Sequence, residues 1–116
     1  MDLFADAIEL AYLAGAIDSD GWIGIMKHDP KRPHGRRCVS YCEAVTFSQV
    51  DVVIPELLMA RFGGHIQFRE RRGAAAKNWR PMYYWNGRSL IAARAVEALR
   101  PYLKIKARQG KEVARL

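Results

Sequence analysis

The pattern of apolar and polar positions predicts that the chain begins with an apolar helix over residues 5–17. Glu9 is the only charged residue between Asp6 and Asp18 in this stretch. Small residues recur at spacings of three and four and so share one stripe of the helix, namely Ala7, Ala11, Ala14, Gly15 and Asp18. We expect the helix to end within Asp18-Ser19-Asp20-Gly21, with Gly21 in a left-handed conformation.

Two segments of alternating residues predict strands after this helix. In residues 22–27, Ile23 and Ile25 are expected to face the core, with Trp22, Gly24 and Met26 on the other face. In residues 38–48 the face predicted to be packed carries Val39, Tyr41, Val45 and Phe47. The opposite face is small or polar, with Ser40, Cys42, Ala44, Thr46 and Ser48. This alternation indicates a sheet with one packed face and one polar face.

The second half of the chain repeats the order of helix and strands. A helix is predicted from residue 48 to 62, ended by Gly63-Gly64. A third strand over residues 65–72 directs Ile66 and Phe68 inward. Its outward positions are His65, Gln67, Arg69 and Arg71. In a fourth strand, over residues 80–86, aromatic residues occupy both faces and leave its facing open.

The C-terminal part is predicted to be helical. Asn86-Gly87 is expected to form a turn, followed by a helix over residues 89–100. Its predicted apolar face carries Leu90, Ile91, Ala95, Val96 and Leu99. After Pro101, residues 104–116 are expected to form a basic helix. The chain is therefore predicted to be a single α+β domain, residues 1–116, with the order αββαββα.

Composition restricts the classes of partner. The chain has 116 residues, a formal net charge of +7 and a pI near 9.8, which favours a polyanionic partner such as nucleic acid. No apolar run approaches the roughly 20 residues of a membrane span. We therefore expect a soluble, intracellular protein with no membrane partner.

The predicted end of the first helix carries unusual charges. Asp18 and Asp20 lie at the negative end of the helix dipole, where cations are normally favoured. Carboxylate and carbonyl oxygens gathered there are suitable ligands for a hard divalent cation. Asp18-Ser19-Asp20-Gly21 is also a good turn-forming sequence, so on these four residues alone an ordinary helix-to-strand turn is the favoured interpretation.

The longer segment favours the first interpretation. Residues 13–21, Leu-Ala-Gly-Ala-Ile-Asp-Ser-Asp-Gly, resemble the signature of the LAGLIDADG homing endonucleases, from which Ala16 and Ser19 depart. Phe47-Ser48-Gln49 is similar to the family segment in which a strand ends in a glutamine near the metal site. Residues 101–106, Pro-Tyr-Leu-Lys-Ile-Lys, are similar to the segment that places a lysine beside the scissile phosphate.

This resemblance implies an antiparallel, four-stranded, saddle-shaped sheet with helices on one face. It also implies a catalytic set of Asp20, Gln49 and Lys106. Asp20 and the backbone carbonyl of Ser19 are the implied metal ligands. The implied cofactor is Mg²⁺, with Mn²⁺ as a substitute, whereas Ca²⁺ is expected to support binding without cleavage.

The polar face of the sheet carries residue types that recognise base edges. Arg69 and Arg71 can make bidentate contacts with guanine, and Gln67 can pair with adenine, although such residues also suit a solvated face. The resemblance favours contact with double-stranded DNA, and it implies a DNA-associated protein with no small-molecule cofactor. We assign to this contact Trp22, Gly24, Met26, His28, Ser40, Cys42, Thr46, Ser48, His65, Gln67, Arg69, Arg71, Tyr83 and Trp85. In the loop after the first strand we add Lys31, Arg32, Arg36 and Arg37 as phosphate contacts.

A single signature supplies one essential carboxylate, so two copies of the chain are expected to meet. The predicted dimer interface is the small-residue stripe at Ala11, Ala14, Gly15 and Asp18. A symmetric homodimer implies a long, near-palindromic DNA site made of two half-sites.

The predicted function is that of a homing endonuclease of intron or intein mobility. It would cut both DNA strands by metal-dependent phosphodiester hydrolysis and leave short 3′ overhangs. The alternative is a relative that binds DNA or RNA without cutting, such as a splicing cofactor or regulator. A third class, a protein-interaction module that dimerises through the apolar helix, would show no salt dependence of DNA binding.

Overall fold

The computed structural model describes residues 3–28, 39–70 and 80–114. Within these ranges the chain forms four α-helices and four strands. They follow the order α1 (Leu3–Asp20), β1 (Gly21–His28), β2 (Ser40–Gln49), α2 (Val53–Phe62), β3 (His65–Arg69), β4 (Met82–Arg88), α3 (Leu90–Leu99) and α4 (Ala107–Ala114), with a single 3-10 turn at Arg100–Tyr102 before α4. The predicted α+β class and the order αββαββα, followed by a last helix, are confirmed.

The four strands form one antiparallel sheet in the order β1-β2-β4-β3. The register places Ile23 opposite Val45, and Phe47 opposite Trp85, which in turn pairs with Ile66. These side chains share one face of the sheet because side chains alternate along a strand. We call this the helix-side face, and the opposite one the outward face.

The hydrophobic core lies between the helix-side face and the helices. Its buried residues are Leu13, Ala14, Ile17, Ile23, Val45, Phe47, Leu58, Trp85, Ala92, Ala95, Val96, Leu99, Leu103 and Val113. The indole Nε1 of Trp85 donates a hydrogen bond of 2.9 Å to the carbonyl of Gly63. This bond satisfies the polar atom of the largest core side chain and ties β4 to the end of α2.

The helix-side face is only partly covered. Ile25 and Phe68 belong to this face by register, but about half of each side chain is exposed, as is most of Tyr41. The inward alternation predicted for these three residues has the correct parity, but they lie at the margin of the core.

The glycine that follows α1 serves a purpose different from the predicted one. Gly21 does not have a positive φ. Among the described glycines, a positive φ occurs at Gly63 and Gly64. A Cβ on Gly21 would lie 2.8 Å from the Cα of Ile17 and 2.9 Å from its carbonyl oxygen. The predicted left-handed exit is therefore wrong, and Gly21 instead allows β1 to leave close against the last turn of α1.

The connection from β4 to α3 also differs from the prediction. Asn86-Gly87 was expected to form a turn, but both residues continue β4 and pair with Thr46 and Val45 of β2. The chain turns at Ser89, whose φ is 55° and whose N–H donates to the carbonyl of Glu43. Pairing with β2 overrides the local turn preference of this dipeptide.

Two further boundaries are set by local contacts. The helix predicted to open at residue 48 begins at Val53, whose N–H donates to the side chain of Asp51 at 2.9 Å. Arg61 of α2 forms ion pairs with Asp6 and Glu9 of α1 and so joins the two helices. Among the described residues, no helix has the length and apolar character needed to cross a membrane.

Candidate functional site

The signature places its last carboxylate at a junction of three elements. Asp20 is the final residue of α1 and is exposed. The next residue, Gly21, pairs with Phe47 of β2, and β2 ends two residues later at Gln49. Asp20 and Gln49 therefore lie at the same end of the sheet, which we call the signature end.

Lys106 is brought to this end by its contact with α1. Its ammonium donates a hydrogen bond of 2.6 Å to the main-chain carbonyl of Asp18, one of the carbonyls that the end of a helix leaves without an intrahelical partner. Because Asp18 lies two residues before Asp20, the bond holds the cation of Lys106 at the helix end that carries the Asp20 carboxylate. The negative end of the helix dipole favours a cation there.

Asp18 itself fixes the segment before α4. Its carboxylate accepts the backbone N–H of Lys104 at 2.7 Å and that of Lys106 at 2.9 Å. The side chain is 8% exposed. The two acids of the signature therefore have different environments, since Asp18 is buried and hydrogen-bonded whereas Asp20 faces solvent.

The hydrogen bonds to Asp18 control its protonation. Burial alone would raise the pKa of this carboxyl, but the backbone N–H groups of Lys104, Lys106 and Ile105, together with the charge of Lys106, lower it below the ordinary value of 3.8. Donors aimed at a carboxylate favour its charged form. Asp18 is thus held as an anion within the fold.

The hydroxyl of Ser19 is directed back along α1. It lies within hydrogen-bonding distance of the carbonyls of Gly15, at 3.2 Å, and Ala16, at 3.1 Å. The hydroxyl of Ser19 is therefore engaged with the helix, and the role of its backbone carbonyl as a metal ligand stays a prediction.

The donor set fits a divalent cation only in part within one chain. In the portion that the structure describes, no group of three or more His, Cys, Asp or Glu side chains is placed to hold a metal ion. The oxygen donors at the signature end, the Asp20 carboxylate and the carbonyls of the last turn of α1, are of the kind that Mg²⁺ and Ca²⁺ prefer. The described residues of one chain therefore supply only part of the ligand set of such a cation.

The outward face gathers most of the residues predicted to contact DNA. By register it carries Trp22, Gly24, Met26, Ser40, Cys42, Thr46, Ser48, His65, Gln67 and Arg69. A Cβ on Gly24 would lie 2.5 Å from the ring of Trp22, so the indole lies across this glycine. The predicted polar face is therefore one continuous surface, although its contact with DNA stays a prediction.

Two aromatic residues assigned to this surface lie on the other face. Trp85 is completely buried in the core, and Tyr83 belongs to the helix-side face, where its ring centroid lies 5.0 Å from that of Phe68. The prediction that Tyr83 and Trp85 contact DNA is wrong for this reason.

On β4, the outward face carries residues that the sequence interpretation missed. Met82, Tyr84, Asn86 and Arg88 are the β4 residues on the outward face. Arg88 is exposed and lies opposite Ala44. Taking the bulky Trp85 as the core position would have given this facing from the sequence, because residues at odd offsets from it must point away.

Several predicted contacts lie outside the described residues. These are Lys31, Arg32, Arg36 and Arg37 of the loop and Arg71 after β3. His28 is the last residue of β1, and its backbone pairs with Ser40. The side chain of His28 is not among those that the structure describes.

The small-residue stripe of α1 is divided between two faces. Ala14 and Asp18 are buried by the chain's own core, so the prediction that their side chains form the dimer interface is wrong. Ala11 and Gly15 are exposed, and no atom lies within 4 Å of a Cβ built on Gly15. The same exposed side of α1 carries large apolar residues, namely Phe4 (75% exposed), Ile8 (57%) and Tyr12 (56%). We call this set, Phe4, Ile8, Ala11, Tyr12 and Gly15, the α1 outer stripe.

Several solved structures of homing endonucleases are similar to this chain in fold. The structure of I-CvuI bound to the I-CreI target in the presence of Mg has a TM-score of 0.71 and 23% identity, and the match covers 97% of this chain and 67% of that one. The archaeal intron-encoded I-Vdi141I, complexed with DNA, has a TM-score of 0.66 and 15% identity over 95% of this chain and 67% of its own.

A third similar structure is the LAGLIDADG homing endonuclease I-SmaMI bound to cleaved DNA. Its TM-score is 0.65 at 17% identity, and the match covers 91% of this chain but 34% of that one. No family model and no curated protein sequence matches the chain. The comparisons show that the chain has the LAGLIDADG homing endonuclease fold, as its signature predicted.

Proposed function

We propose that the protein is a sequence-specific, divalent-metal-dependent DNA endonuclease that acts as a homodimer. The observation that carries the proposal is the arrangement at the signature end, where α1 presents the Asp20 carboxylate and also holds the ammonium of Lys106. A carboxylate and a cation at one end of a sheet with a polar outward face suit hydrolysis of a bound phosphodiester.

The similar structures support a DNA substrate. I-CvuI is known in complexes with DNA in the presence of Mg and of Ca, and I-SmaMI in a complex with cleaved DNA. We transfer this substrate class to the present chain because its outward face carries the residues suited to base edges, including Arg69 and Arg88.

Each residue of the proposed catalytic set has its own task. Asp20 and the carbonyl of Ser19 would hold Mg²⁺, which supplies Lewis-acid stabilisation of the phosphodiester undergoing hydrolysis. Lys106 would place its positive charge beside the phosphate, where negative charge develops during cleavage. Gln49 would orient the attacking water through its side-chain amide.

The proposed dimer is supported by the incomplete set of metal ligands at Asp20 and by the surface of α1. Two-metal hydrolysis requires ligands on both the attacking and leaving sides of the phosphate. The α1 outer stripe is apolar and exposed, as expected of a surface that a second copy covers. An interface built on the same stripe in both copies is symmetric, so it would bring two Asp20 residues together over a near-palindromic site.

A relative that binds nucleic acid without cutting is the second candidate. The basic composition and the outward face would serve it equally well. It would not require Asp20 or the contact between Lys106 and α1. Retention of both favours the endonuclease.

Selection from a random DNA library tests activity and target together. The protein is incubated with randomised duplexes in Mg²⁺, and the cleaved molecules are sequenced at their ends. The proposal expects a long, near-palindromic consensus with short 3′ overhangs, and no products without a divalent metal. Enrichment by binding without any cleaved molecules would support the non-cutting relative.

A further inference from the structure

Three residues of the outward face are connected to one another. Gln67 and Arg69 lie two residues apart on β3 and so point to the same side, and Tyr84 is the β4 partner of Gln67. The Oε1 atom of Gln67 accepts hydrogen bonds from Nε of Arg69 at 3.1 Å and from Nη2 at 2.8 Å. The guanidinium carbon of Arg69 lies 4.8 Å from the ring centroid of Tyr84.

These contacts leave a defined part of Arg69 available. A guanidinium group has five N–H donors in a fixed planar fork. The edge formed by Nε and Nη2 is directed to Gln67, and the guanidinium carbon lies over the ring of Tyr84. The edge formed by the two terminal nitrogens is the one not engaged by Gln67, and it can donate two parallel hydrogen bonds to the O6 and N7 acceptors of guanine.

The same contacts change what Gln67 can recognise. Pairing with adenine requires the carboxamide to accept from N6 and to donate to N7 at the same time. The acceptor atom of Gln67 is already occupied by two donors of Arg69. In this arrangement Gln67 supports the arginine and does not present a complete adenine-recognising edge.

We propose that Gln67, Arg69 and Tyr84 form one guanine-recognition unit in each half-site, with Arg69 as the base contact and the other two as positioning residues. The unit rests on the proposed function, since it needs a DNA duplex on the outward face. A long arginine side chain loses rotamer freedom when it binds, and a side chain already held by a hydrogen-bonded neighbour and a ring loses less. Gln67 and Tyr84 therefore increase the discrimination that Arg69 achieves.

Paired variants separate the unit from three independent contacts. Gln67→Met removes the acceptor at nearly constant size, whereas Gln67→Glu keeps it. Tyr84→Leu removes the ring, whereas Tyr84→Phe keeps it. Base preference is measured for each full-length variant by sequencing bound duplexes from a randomised library in Ca²⁺, next to the wild type and Arg69→Ala.

The unit predicts a preference for guanine of about 5- to 150-fold at one position of each half-site, the range of a good bidentate contact. Arg69→Ala abolishes it. Gln67→Met and Tyr84→Leu weaken it at that same position by several-fold, while Gln67→Glu and Tyr84→Phe retain it even where total affinity changes. Loss of an adenine preference at another position in Gln67→Met would overturn the unit and leave the proposed function intact.

A measurement without DNA separates the two ideas further. In the free protein, ¹⁵N relaxation at Nε of Arg69 reports how firmly the guanidinium is held. The unit predicts greater mobility in Gln67→Met and Tyr84→Leu than in their matched controls, and equal mobility in all four variants would overturn it. A wild type that holds Arg69 firmly but selects no DNA sequence would instead contradict the proposed function, and with it the guanine contact.

Discussion

Asp18 and Lys106 are joined by two hydrogen bonds, both donated by Lys106. The carboxylate of Asp18 accepts the backbone N–H of Lys106 at 2.9 Å, and the ammonium of Lys106 donates to the main-chain carbonyl of Asp18 at 2.6 Å. The contact joins residues 88 positions apart in the chain. It makes the first acid of the signature a structural anchor for the lysine, while the second acid, Asp20, is exposed and is the proposed metal ligand.

The first prediction concerns stability and pH. Because the pKa of Asp18 is lower in the folded protein than its ordinary value of 3.8, the charged carboxylate stabilises the fold above that pH. This contribution is lost as the pH falls through the folded-state pKa. Asp18→Asn replaces an acceptor oxygen by a donor, so at neutral pH we expect a loss of about 1–3 kcal/mol in the free energy of unfolding.

Denaturant unfolding of both proteins at a series of pH values measures this effect. The difference between wild type and Asp18→Asn should be largest at neutral pH and should shrink below pH 3.8. A difference that does not depend on pH would show that the charge of Asp18 contributes nothing.

The second prediction separates two neighbouring lysines. The backbone N–H groups of Lys104 and Lys106 are both bound by Asp18, but only the Lys106 ammonium has a described contact with the end of α1. Lys106→Met should slow single-turnover cleavage by about 100- to 1,000-fold, the usual cost of removing one donor that stabilises developing charge. Lys104→Met, which removes an exposed lysine side chain, is the control. Its cleavage rate should lie within a few-fold of that of the wild type. Equal slowing by both variants would assign the effect to general positive charge.

The third prediction tests the α1 outer stripe. A Cβ on Gly15 meets no atom of the same chain within 4 Å, so the folded monomer should accept Gly15→Leu. A second copy packed closely against α1 should not accept it. Sedimentation should show a wild-type dimer and a monomeric Gly15→Leu, each with an unchanged circular dichroism spectrum. Ala93→Leu, at an exposed position of α3, should stay dimeric. A wild type that is monomeric with and without DNA would exclude the interface.

The fourth prediction concerns the face of the sheet that meets DNA. Arg88 is exposed on the outward face, whereas Arg94 is exposed on α3, on the helix side. Arg88→Ala should weaken DNA binding. If Arg88 contacts a phosphate, the substitution should also make the slope of log K against log salt concentration less steep by about one. Arg94→Ala should leave both unchanged. The reverse result would place the DNA against the helices.

The sequence predicted the element order well because the local patterns and the signature agreed. The sequence was less informative where tertiary contacts determine the end of a strand or the direction of its side chains. Asn86-Gly87 has the composition of a turn, but both residues pair with β2 and the fourth strand continues. The parity of β4 depends on Trp85 entering the core, and without it Tyr84 and Arg88 could not be assigned to the outward face.

The candidate site was predictable to the extent that the signature identifies it. The small-residue spacing indicated a helix face that permits close packing, but it could not tell the chain's own core from a second copy. Ala14 and Asp18 face the core, and Gly15 faces out. Likewise, nothing local to Asp18 or Lys106 indicates that they bind each other, since their contact arises only when the ends of the chain meet.

The central claim is tested most directly by single-turnover cleavage of a selected DNA site by Asp20→Asn. This change keeps the size of the side chain and removes the negative charge that would retain the cations. Asp51→Asn, at an exposed position before α2, is the matched control, since it keeps the acceptor for Val53. With Mg²⁺, the account predicts that Asp20→Asn loses cleavage by about three orders of magnitude or more and still binds the site, while Asp51→Asn cuts normally. Undiminished cutting by Asp20→Asn would contradict the account.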